Sequence, residues 1–129
     1  MGNYRELLAW QKARVLAGVV YRATEVFPAR ERYGLASQMR RAAVSAVSNI
    51  AEGVGRGSDS ELRRFLMIAR GSVSELETQI VIAADLHLLP ESSALELGAA
   101  ASETARLIHG LLRRYQRAKP RSSPQPSDD

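Results

Sequence analysis

Apolar residues recur at alternating steps of three and four along most of this chain, the period of helices that each bury one side. In the first stretch Ala9, Ala13, Leu16, Val20, Ala23 and Phe27 make such a seam, which Trp10 and Ala17 widen. Asn3 is placed to cap it, with Glu6 three residues on in a capping-box spacing. Pro28 lacks an amide proton and restricts the residue before it, so the helix should stop at about Phe27. A second helix is expected from Gly34 to Gly53, apolar along Leu35, Met39, Ala43, Val47, Ile50 and Val54, with Gly53 as a left-handed C-cap. Its other side carries Ser37, Arg41, Ser45, Ser48 and Glu52, and its many alanines permit close packing. Ser58 and Glu61 read as the start of a third helix, with Leu66, Ala69, Val73, Leu76, Ile80 and Ala83 inward and an end near Leu88. After Pro90 a fourth helix should run to Ala118, burying Leu97, Ala101, Thr104, Ile108, Leu111 and Tyr115.

Four amphipathic helices with short connections predict an all-α, up-down-up-down antiparallel four-helix bundle over residues 1–119. Residues 120–129 have three prolines and no apolar side chain, a composition expected to stay disordered. Aromatic residues make up only 5% of the chain, which argues against a β-sandwich. Cysteine is absent, excluding disulfides, thiolate metal sites and a cysteine nucleophile, and fitting a reducing compartment. No apolar run is long enough to span a bilayer, and Arg5, Glu6 and Lys12 stand where a signal peptide needs an apolar core. A cytoplasmic location is expected.

The net charge of +4 permits a polyanionic partner without requiring one, so the layout of the charges matters more than their sum. Antiparallel order gathers Arg5, Arg56, Arg63, Arg64, Arg113, Arg114, Arg117 and Lys119 at one end, against Glu6, Glu52, Asp59 and Glu61. The other end holds Arg22, Arg30 and Arg32 against Glu25, Glu31, Glu75, Glu77, Asp85, Glu91 and Glu96. Arg56, Arg63, Arg64, Arg113, Arg114 and Arg117 are therefore the candidate nucleic-acid contacts, flanking free helix N-terminal amides that suit a phosphate. The competing explanation is a solvated face: Asp59 and Glu61 neutralise the helix start, and arginines suit the negative end of the fourth helix. The Arg40–Arg41 pair reads differently. Pairing residue i with 113 − i across the central hairpin brings it to Glu75 and Glu77, and an Arg41–Glu75 or Arg40–Glu77 bridge is preferred over ligand binding.

Enzyme chemistry finds no support. Gly53, Gly55 and Gly57 follow a helix and lack dinucleotide-loop spacing. Ser37, Ser45 and Ser48 have no histidine within reach, and His87 and His109 lack the paired Glu-x-x-His pattern of di-iron bundles. No cofactor, metal or catalytic residue is expected.

The ordered segments Tyr4-Arg5-Glu6-Leu7, Trp10-Gln11-Lys12-Ala13, Phe27-Pro28 and Glu31-Arg32-Tyr33-Gly34-Leu35 resemble the four-helix bundle family encoded in intervening sequences of bacterial 23S ribosomal RNA genes. The likeness continues through Arg40-Arg41-Ala42-Ala43-Val44-Ser45, Ser48-Asn49-Ile50-Ala51-Glu52-Gly53, Gly55-Arg56, Gly71-Ser72 and Glu75-Leu76-Glu77, covering about residues 4–115. The resemblance implies a ring-shaped homopentamer. It extends to the nucleic-acid-binding accessory proteins of diversity-generating retroelements, which cooperate with a reverse transcriptase. Members often place Ile-Pro before the Ser-Asn pair, where this chain has Ala46-Val47, so its second helix should run straighter. The combined expectation is a non-enzymatic oligomer binding RNA or DNA without base selectivity. The alternative is an adaptor that docks a reverse transcriptase or a ribosome-associated factor.

Overall fold

The computed structural model describes residues 3–118, with side chains through Tyr115. The tail expected to be disordered lies outside them. Four helices carry the fold: α1 (Leu8–Thr24), α2 (Leu35–Gly55), α3 (Asp59–Asp85) and α4 (Glu91–Ala118). Each packs against its sequence neighbours, α1 closes on α4, and the diagonal pairs stay apart. This is the antiparallel four-helix bundle the periodicity predicts, and α2 against α3 is its most extensive contact.

The inner stripes match the sequence seams closely in the middle of each helix and less well at the ends. Leu16, Met39, Ile50, Leu66, Leu76, Leu97 and Ile108 are fully buried. Near the N-terminus the chain does not enter a helix directly. Asn3 Oδ1 accepts the Arg5 amide at 2.9 Å, making a 3-10 turn over Tyr4–Glu6, and Leu7 is then extended before α1 begins. Gln11 Nε2 ties the turn to α1 by donating to the Arg5 carbonyl at 2.9 Å, and the Tyr4 and Trp10 rings meet edge-on at 5.3 Å. At its far end α1 stops at Thr24, earlier than Pro28 alone dictates, and the Thr24 hydroxyl donates back to the Val20 carbonyl. Phe27 is nevertheless buried, folded in by the turn rather than by a continuing helix.

α2 runs uninterrupted through Ala46–Val47 and past Gly53 to Gly55. Gly53 is therefore not a cap. A Cβ built there would lie 2.9 Å from Phe65 Cβ and 3.2 Å from Leu62 Cδ1, so its bare backbone is what lets α2 and α3 meet. The left-handed residue of this connection is Gly57, with φ of +83°. Ser58 then caps α3, its Oγ accepting the Glu61 amide. Opposite effects are expected of alanine at two helical glycines. Gly71, with open space around its Cα, should gain about 0.5–1 kcal/mol from better helix propensity. Gly53→Ala should instead lose about 1–3 kcal/mol by forcing the helices apart. Thermal melts of the two variants, moving in opposite directions, check this.

Ser45 and Ser72 hydroxyls meet at 2.9 Å across the α2–α3 seam, and Asn49 donates to both the Ser45 carbonyl and its hydroxyl. The hairpin thus pairs residue 45 with 72, one helical turn away from the expected register, because α2 continues to Gly55 and carries the connection toward the C-terminus. Arg40 is turned the other way. Its Nε donates to Thr24 Oγ1 at 2.7 Å, an Nη donates to the Tyr21 carbonyl, and its guanidinium lies 4.6 Å from the Tyr21 ring centre. The expected Arg40–Glu77 and Arg41–Glu75 bridges do not form among the described residues. Arg40 faces α1 while Glu77 faces the α3–α4 groove, and Glu75 accepts from Gln79 of its own helix.

Candidate functional site

The end of the bundle where α2 leaves and α3 begins carries the residues expected to bind a polyanion. The first turn sits here too: Tyr4 shares a shallow groove with Glu52, Gly55 and Arg56, and Glu6 and Leu7 share another with Gly110 and Arg114. Antiparallel packing thus brings the start of the chain, the α2–α3 connection and the end of α4 to one pole.

Two of the candidates share one aromatic ring. The Arg56 and Arg64 guanidinium carbons lie 4.9 and 4.5 Å from the ring centre of Phe65, which is itself nearly buried. Each also holds one carboxylate: Arg56 reaches Glu52 at 3.1 Å, and Arg64 reaches Glu61 at 3.2 Å through Nη and 3.4 Å through Nε. The Arg64 hydrogen bonds are the main reason that Glu61 ionises below its ordinary value of 4.5, helped by the Arg64 charge and, less, by that of Arg56. Glu61 therefore serves Arg64 with its carboxylate and Ser58 with its amide, rather than closing a capping box. All four charged groups are solvent-exposed, so water and salt screen both pairs.

The remaining candidates spread around the pole. Arg63 shares a stripe of α3 with Arg70 and Glu77, and Glu77 lines the α3–α4 groove, so Arg63 lies on the α4 side. Neither Arg63 nor Arg113 has a carboxylate partner among the described residues. Arg114 lies over the Tyr115 ring at 5.4 Å and beside Glu6. The Arg117 side chain is outside the described residues. Arg5 rests on Tyr4 at 5.9 Å.

A sequence profile of the 23S rRNA-intervening sequence protein family matches residues 5–110. The chain belongs to that family. Among solved structures it is similar to a protein of unknown function from the S23 ribosomal protein family of Bacteroides thetaiotaomicron. That likeness has a TM-score of 0.75 at 16% identity, covering 82% of this chain and 96% of the other. No curated protein matches. For this member of the 23S rRNA-intervening sequence protein family, the part of the pole that sequence reasoning missed is Phe65. It lies outside the strict three-four seam. The available signal was its place directly after Arg63-Arg64 and, by the observed register, opposite Gly53.

Proposed function

We propose that this protein is a non-enzymatic helical bundle of the cytoplasm that assembles as a homo-oligomeric ring, a pentamer by family resemblance, and binds RNA or DNA along its backbone at the basic pole. The observation that carries the reading is the gathering of arginines from the first turn, the α2–α3 connection, α3 and α4 at one end, with Arg56 and Arg64 braced on Phe65. Bracing lowers the side-chain freedom lost on gripping a phosphate, and guanidinium groups suit that geometry. Phe65 is too buried to stack a base, so recognition is of charge and shape rather than sequence.

Self-association has its own support. Met67, Ile68 and Ile82 are exposed along the outer side of α3, and Leu8 and Val15 along α1, more apolar surface than an isolated bundle needs. Labelled RNA and DNA titrated with the full chain should bind with log affinity falling linearly with log salt, at a slope of several units below zero. Absence of binding at low salt, or binding indifferent to salt, would sink the polyanion reading. Sedimentation velocity at micromolar concentration should show one species larger than a monomer, and a lone monomer would refute assembly.

A further inference from the structure

We infer that the groove between the end of α3 and the start of α4, at the pole opposite the arginines, is a docking site for a basic amphipathic helical segment of a partner protein. The groove encloses about 610 Å3, within the range of about 300–1,000 Å3 that seats several large side chains. Its floor is apolar, made by Ile80, Ala84, Leu89 and Ala94, with Val81 and Leu95 standing at its mouth. These last two are 59% and 69% exposed, an unusual investment of large aliphatic side chains in contact with water.

Charge identifies the occupant. Glu77, Asp85 and Glu91 rim the groove, no lysine or arginine lines it, and none of the three carboxylates has an ion-pair partner among the described residues. A segment presenting two aliphatic side chains at i and i+4, flanked by lysine or arginine, satisfies both the floor and the rim. A two-fold contact of the groove with itself would set these carboxylates against their own copies, and a head-to-tail contact with another copy is the outcome that the sedimentation arm of the test identifies. An anionic membrane is repelled by the same carboxylates. His87 shapes the rim from an uncommon position: its φ of +59° closes α3, with the Leu88 amide donating to Ala83 and its own amide to Ala84. A glycine is the usual residue there, and the side chain at this point walls one end of the groove.

The site is independent of the basic pole and is tested separately. A fluorescein-labelled amphipathic helical peptide of leucine, alanine and lysine is titrated into the full chain by anisotropy, beside the same peptide with every lysine replaced by glutamine. Saturable binding of the lysine peptide is expected, at least about tenfold tighter than the glutamine peptide and weakened by salt. Val81→Ser with Leu95→Ser should weaken it about tenfold. Glu77→Gln with Glu91→Gln should weaken it and flatten its salt dependence. Replacing Arg56 and Arg64 should leave it unchanged. Equal binding of both peptides, or indifference to the groove variants, overturns the proposal. So does a change in sedimentation of the Leu95→Ser variant with no peptide bound to the parent, which would assign the groove to another copy of the chain.

Discussion

Reversing Arg56, Arg63 and Arg64 to glutamate should lower nucleic-acid affinity by on the order of 100-fold or more at moderate salt and reduce the salt slope by two to three units, as about three lost phosphate contacts require. The fold should survive the change. Arg63 and Arg64 lie in the first turns of α3, where the helix dipole favours acidic side chains, and Arg56→Glu adds only an exposed like-charge neighbour to Glu52. The variant's melting temperature should therefore stay within a few degrees of the parent. Reversing Arg30 and Arg32 to glutamate replaces two positive charges at the opposite pole by two negative ones, and should change affinity by less than about threefold. If both reversals weaken binding equally, net charge rather than the basic pole governs the interaction.

Leu66→Ala should cost about 2–5 kcal/mol, the largest stability loss expected of any single substitution discussed for this chain. Leu66 is fully buried on α3, the helix in contact with both α2 and α4. A drop of 10 °C or so in thermal midpoint is expected, from about 3–5 °C per kcal/mol at this size. Leu95→Ala is the matched control. Exposed at the groove mouth, it should shift stability by less than about 0.5 kcal/mol.

The contrast between Leu66 and Leu95 also shows what the sequence made legible. Both are leucines in helices, but Leu66 falls on an unbroken three-four seam and Leu95 does not, so period alone separates core from surface. Helix ends were less readable. Leu7 is extended for reasons of local hydrogen bonding at Asn3 and Gln11, and no apolar pattern records that. Gly53 looked like a terminator because glycine usually is one. Its role is set instead by Phe65 on another helix, which single-chain periodicity does not reveal. The fate of Arg40 was misread for a related cause. Opposite charges at suitable spacing suggested Glu77, while the uncharged Thr24 and the Tyr21 ring were nearer in space. At the basic pole the topology assigned arginines to the correct end, because element order determines ends. It did not show that two of them share an aromatic ring and hold local carboxylates. The acidic groove went unrecognised as a cavity although Glu77, Asp85 and Glu91 had been assigned to that end.

The 27 residues of α3 set a length as well as a surface. At about 1.5 Å per residue the helix measures about 40 Å, and it joins the arginine end to the groove without a break. On α3 the nearest charges of the two sites, Arg63 and Glu77, are still about 21 Å apart, more than two Debye lengths at physiological salt. The bundle acts as a rigid strut, setting whatever it holds at one tip a fixed step away from whatever it holds at the other.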